Sequence, residues 1–347
     1  MSEHVIIIDN HEDELTTSTN AGENKEHKII LPVSNAASKA EDILEYVYDR
    51  DDDDSRQNLY ALIDEFLAQE FQPGSAHDFH NFAVGLARRD EYLLACRVLE
   101  CGLECYPKNV DLLADYLQYG VSCNKFDECK RIYKTLIKIP RRRWTWRGFA
   151  FLVDYLQFLI DRSDSDKDID AREKEMLDIV RDFKELFPYS EEPYRTEANV
   201  CQTLNMPDKE ADVLKTALEN VKVAPKCALR FADLLFDRGL YEEATSAIQR
   251  AISDATQTQT SVNEGYLYYL SALCKIAIMQ RSKSLQKSAI EEAVKDVYSD
   301  FNIALTKFQN TNSMYIDVIR TKTNTLVNKT GVEVDASFEL LCEYAAR

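Results

Sequence analysis

Along most of the chain, apolar residues recur three and four positions apart, with polar residues between them, which is the pattern of helices with one buried face. Pro225 to Gln257 shows it most plainly. Ala228, Phe231, Ala232, Leu234, Leu235 and Phe236 share one side of a 3.6-residue turn, while Lys226, Arg230, Asp233 and Asp237 take the other. Gly239 follows at a place that suits positive φ just past a helix end. A second helix then repeats the pattern with Tyr241, Ala244, Ala247, Ile248, Ala251 and Ile252. The alanines allow two helices to cross closely. Each helix, of about 13 residues, is too short to hold alone in water, so the pair is expected to stack on neighbours.

The same unit recurs along the chain. From Ala76 to Asn109, Phe79, Phe82, Ala83 and Leu86 precede Tyr92, Ala95, Leu99, Gly102 and Pro107. In the next copy, Val110 to Arg143, Phe126, Cys129, Tyr133 and Leu136 stand in for Tyr92, Ala95, Leu99 and Gly102. Trp144 to Ser190 is a longer copy, interrupted by the polar insert Arg162 to Asp170. Glu192 to Ala224 is a weaker one, and longer helices follow from Ser261. This pattern of apolar, aromatic and small residues resembles the tetratricopeptide repeat, with Thr256 where that family places a proline. The resemblance implies an all-α solenoid of stacked antiparallel helix pairs. The expected organisation is an acidic disordered tail over 1–34, a first helix pair over 35–75, the repeats over 76–260, and a long helix pair with capping helices over 261–347.

Composition narrows the function classes. The net charge of −18 opposes general nucleic-acid binding and anionic membrane surfaces. No apolar run is long enough to span a membrane, and the opening MSEHVIIIDNHEDEL does not read as a signal peptide. The nine cysteines sit within helical patterns and are expected to be reduced, small core residues of a cytoplasmic protein. Val5 to Ile8, followed by acids, looks like a short motif that adds a strand to a ubiquitin-like modifier; chance also makes such strings.

Catalytic signatures are missing. All five histidines precede residue 81, and neither a G-x-x-x-x-G-K-[ST] nor a G-x-G-x-x-G string occurs. Asp51 to Asp54 lack the alternating spacing of a calcium loop, and His77, His80, Cys101 and Cys105 lack zinc-ribbon spacing. No enzyme, cofactor or metal is therefore expected.

One stretch reverses the sign of the chain. Cys129 to Val153 contains no Asp or Glu and eight basic residues: Lys130, Arg131, Lys134, Lys138, Arg141, Arg142, Arg143 and Arg147. Both tryptophans, Trp144 and Trp146, lie inside it. The lysines could complement a helix dipole, the tryptophans could pack at a junction, and the arginines could pair with acids such as those of Asp164 to Asp170. Alternatively, arginine forks beside indole faces form an anion-binding or partner-docking patch. The resemblance also implies a groove lined by first helices, where Lys226 and Arg230 occupy places that clamp a peptide carboxylate in some relatives. The preceding copy lacks the clamp's asparagines, offering Thr196, Glu197 and Val200. The favoured expectation is a cytoplasmic scaffold or adaptor for a protein or peptide. The alternative is a regulatory subunit that binds RNA or an anionic small molecule through 130–147 and controls an effector.

Overall fold

The computed structural model describes residues 75–258, 262–282, 286–308, 313–334 and 337–345, with positions 57, 60, 61, 63 and 64. The expected N-terminal tail, and most of the helix pair expected over 35–75, lie outside the described residues. The described residues hold fourteen α-helices and no strand. The chain divides into two compact units, 1–132 and 133–347.

In the first unit, α1 (Ala76–Ala87) and α2 (Tyr92–Cys105) form a pair, and α3 (Val110–Ser122) leads into α4 (Phe126–Leu136), whose residues from Tyr133 on fall in the second unit. The Ser75 amide donates to the Asp78 carboxylate at 3.1 Å, and Asn109 caps α3 by accepting from the Leu112 amide at 3.0 Å. Helix α1 packs against both α2 and α3. Gly102 makes that approach possible. A Cβ there would lie 2.9 Å from Phe79 Cγ and 3.1 Å from Leu112 Cδ1. Leucine at this position gains about 1 kcal/mol of helix propensity but overpacks a fully buried crossing, which costs typically 1–3 kcal/mol or more. Gly102→Leu is expected to lower the denaturant midpoint of the first unit, a net loss of up to about 2 kcal/mol; a raised midpoint would show the crossing to be loose.

The second unit stacks α5 (Trp146–Asp161), α6 (Asp166–Leu186), α7 (Glu192–Thr203), α8 (Pro207–Asn220), α9 (Pro225–Asp237), α10 (Tyr241–Thr258), α11 (Glu264–Arg281) and α12 (Lys287–Lys307). Helices α13 (Ser313–Thr330) and α14 (Phe338–Ala345) close on α12. Each helix packs on the next, and the first helices of successive pairs, α5, α7, α9 and α11, touch in series. This is the stacked-pair architecture of an all-α solenoid. Phe301, Ile319 and Phe338 share the core at the C-terminal end.

One turn recurs between the helices of a pair. Asp90 and Asn124, 34 residues apart, have φ of 59° and 62°; Asn205 and Gly239, also 34 apart, have φ of 52° and 73°. The next amide closes the same loop each time: Glu91 to Leu86 O, Lys125 to Gly120 O, Met206 to Cys201 O and Leu240 to Leu235 O, at 2.8–3.0 Å. These are Schellman-type ends, in which asparagine and aspartate tolerate the left-handed region that glycine enters freely.

Two elements depart from the sequence reading. Helix α10 runs 18 residues rather than about 13, because Thr256 stands where a proline would stop it. Helix α6 starts inside the expected insert: the Ser165 hydroxyl accepts from the Asp168 amide at 3.4 Å, and Asp166 and Asp168 lie in the first turn, where the helix dipole favours acids.

Candidate partner-binding surface

The basic stretch enters the second unit at the end of α4, passes through a 3-10 turn at Arg141–Arg143 and continues into the first turns of α5. Tyr133 fixes the α4 end by donating its hydroxyl to the Glu175 carboxylate of α6 at 2.9 Å; burial and this carboxylate push the phenol well above its ordinary range. Thr145 caps α5, its hydroxyl accepting from the Gly148 amide at 3.4 Å.

The two tryptophans part company. Trp144 is 4% exposed, donates its indole N–H to Ile139 O at 3.0 Å and meets Phe149 with ring centroids 5.0 Å apart. It belongs to the core and offers nothing to solvent. Trp146 is 42% exposed; the Arg147 guanidinium lies 4.9 Å over its ring, and Phe151 meets it edge-on at 6.4 Å.

The arginines also divide. Arg141 is taken up internally: it pairs with the Asp182 carboxylate of α6 and donates to Asp178 O at 3.2 Å. Its acid is thus Asp182, beyond the Asp164 to Asp170 stretch that the sequence suggested. Arg142 and Arg143 are exposed and have no ion-pair partner among the described residues. Lys134 and Lys138 are exposed as well. Lys130 is exposed but belongs to the first unit.

Lys226 is half-buried on α9. Arg230 is a structural tie. Its Nε donates to the buried Glu210 carboxylate at 2.6 Å, and its terminal nitrogens reach Ala198 O at 3.0 Å, Gln202 at 3.1 Å, and Asn199. The acceptors come from α7 and α8, so this guanidinium joins three helices.

An open cleft of about 450 Å³ lies among α6, α7 and α8, lined by Leu177, Arg181, Lys184, Tyr194, Glu197 and Lys209. Lys184 pairs with Glu197 at 2.7 Å and stands 4.9 Å over the Tyr194 ring. Arg181 pairs with Asp178 at 2.9 Å. Two of the cleft's three cations, Lys184 and Arg181, are thus paired from within. No group of ligands among the described residues would hold a metal, and no helix there is long and apolar enough to cross a membrane.

No family model and no curated protein sequence matches the chain. Among solved structures it is similar to a thermophilic TPR protein of Thermus thermophilus (18% identity, 59% of this chain and all of that one, TM-score 0.43). It is also similar to PilF of Pseudomonas aeruginosa (14% identity, 71% and 97%, TM-score 0.47). A third is a tetratricopeptide repeat protein of Parabacteroides merdae (15% identity, 84% and all of that chain, TM-score 0.44). At these identities and scores the neighbours say nothing of function. The fold stands on the chain's own helix pairs, their serial stacking and the turn that recurs 34 residues apart. The chain is a helical-repeat protein of tetratricopeptide-like fold.

Proposed function

We propose that this protein is a non-catalytic scaffold or adaptor that holds an acidic protein or peptide segment, with Arg142, Arg143, Trp146 and Arg147 as the central contacts and Lys134 and Lys138 around them. A cytoplasmic setting is part of the reading and rests on the nine cysteines standing as free thiols.

The observation that carries the reading is the pair Arg142 and Arg143, exposed and without an ion-pair partner among the described residues, shortly before the exposed Trp146 in a chain of net charge −18. Charge of this sign, held against the general field of the protein, favours an acidic partner. Arginine and tryptophan are the side chains that most often dominate interface energetics. Trp146 and Arg147 lie in the first turn of α5, a first helix of its pair, so a bound segment has a course along α5, α7 and α9, where Lys226 stands.

The test compares wild type with Arg142→Glu/Arg143→Glu in binding a fluorescein-labelled, Asp/Glu-rich peptide and a single-stranded RNA of equal charge, at two salt concentrations. The expected result is an at least roughly tenfold weaker peptide affinity in the variant, unchanged helicity, and weak RNA binding in both proteins. Peptide binding that ignores the reversal overturns the proposal. Tight RNA binding lost in the variant would favour the regulatory RNA-binding alternative instead.

A further inference from the structure

We propose that Cys96 and Cys123 are an oxidant-responsive pair that closes to a disulfide and staples the first helix pair to the second. Cys96 lies in the interior of α2 and is fully buried. Cys123 caps the C-terminal end of α3 and is half-buried. The two sulfurs stand 3.6 Å apart although 27 residues separate them in sequence.

The geometry favours closure. A disulfide needs its sulfurs at about 2.05 Å, so they must approach by about 1.5 Å. Cys123 has already left helical geometry, with φ −107° and ψ 18°, and Asn124 turns the chain at φ 62°. The backbone that has to yield is therefore a turn between helices, while Cys96 stays fixed. The third sulfur nearby, Cys129, is set apart by burial: it is fully buried, its thiol donating to Tyr116 O and Leu117 O at 3.9 Å, whereas Cys123, whose thiol reaches Gly120 O at 3.7 Å, is only half-buried. Burial pushes the Cys129 thiol up to about 12 and Cys96 higher still.

Accessibility assigns the order of events. Cys123 is half-buried whereas Cys96 is fully buried, so the Cys123 thiolate is the one that meets and attacks a low-molecular-weight disulfide such as oxidised glutathione. The S–S bond of the oxidant breaks, one glutathione thiolate leaves and takes up a proton, and a mixed disulfide forms at Cys123. The Cys96 thiol then gives its proton to water and attacks the Cys123 sulfur, expelling the second glutathione. Two protein thiols are oxidised and one glutathione disulfide is reduced to two thiols. Because burial keeps Cys96 protonated, the second step quickens about tenfold per pH unit while the pH lies below its pKa.

The effect falls on an interface between pairs. Stacked repeats touch only their neighbours, so a bond from α2 to the end of α3 constrains the junction of the first pair with the next. It closes the loop of residues 97–122 in the unfolded chain and so raises the stability of the oxidised form.

The experiment incubates the full chain with oxidised glutathione, alkylates the remaining thiols without reduction, and maps the peptides by mass. The expected product is a Cys96–Cys123 cross-linked peptide, with two thiols lost, a mass fall of about 2 Da, and a higher melting temperature that returns to its starting value on reduction. Cys123→Ser abolishes the product, and Cys96→Ser stops at a glutathione adduct on Cys123. A wild-type map in which glutathione stays on Cys123 while Cys96 is alkylated overturns the proposal, as does a cross-link that runs to Cys101 or Cys105. The wild-type map decides even where a variant fails to fold.

Discussion

Replacing Phe149 with alanine is expected to destabilise the start of the second unit by about 4 kcal/mol, near the upper part of the range for a buried phenylalanine. Phe149 has no solvent exposure. It stacks on Phe183 of α6 with centroids 4.7 Å apart and planes 5° from parallel, meets Phe187 edge-on at 6.2 Å, and touches Trp144 at 5.0 Å. Alanine removes the ring from a site whose walls are themselves rings, of Phe183 in α6, Phe187 at its end and Trp144 before α5, so collapse is limited and most of the cavity cost stays. The two tryptophans supply the readout. Trp144 is buried against the deleted ring, whereas Trp146 is 42% exposed; Phe149→Ala should therefore red-shift the emission that remains in Trp146→Phe and lower its urea midpoint. Trp146→Ala, by contrast, should hardly change stability while weakening the acidic peptide. A loss under about 1 kcal/mol for Phe149→Ala would mean that the stack does not hold the α5–α6 pair.

This pairing also shows what the sequence could and could not reveal. Helical spacing places Phe149, Leu152 and Val153 on one face, and all three are buried. Trp144 and Trp146 are two apart and straddle the start of α5, where no period applies; which indole turns inward depends on the Ile139 carbonyl and the Phe149 ring. The repeated turn was legible at Gly239 but not at Asp90, Asn124 or Asn205, since asparagine and aspartate are as ordinary on an exposed helix as at its left-handed end. Charge was legible as a sum and not as a pairing. The excess of cations over 130–147 is plain in the sequence, yet Arg141 finds its acid 41 residues away at Asp182 while Arg142, its neighbour, finds none among the described residues. In a 3-10 turn, with three residues per turn, successive side chains point about a third of a turn apart and so meet different surroundings. Exposed groups are left for a partner only after the fold has taken those it needs.

Arg230 is the strongest case of a cation the fold has taken, and Arg230→Ala is expected to cost about 3 kcal/mol. The Arg230 side chain is 23% exposed, while the Glu210 side chain it meets is 7% exposed. Removing Arg230 leaves that carboxylate without its cation and strips the donors from Ala198 O, Asn199 and Gln202. Breaking a buried pair from one side costs about 3–5 kcal/mol; partial access of water to the arginine places this pair at the lower end. A lysine has no planar fork to reach α7 and α8 together, so Arg230→Lys should recover only part of the loss. Arg230→Met with Glu210→Leu removes both charges at similar volume and should come within about 1 kcal/mol of wild type, although each change alone is costly. The double variant also separates tie from ligand contact. If Arg230 serves only to join α7, α8 and α9, the double variant binds the acidic peptide as wild type does. Lost binding in a protein of wild-type stability would instead place a ligand carboxylate on the Arg230 guanidinium and show that the groove competes with Glu210 for it.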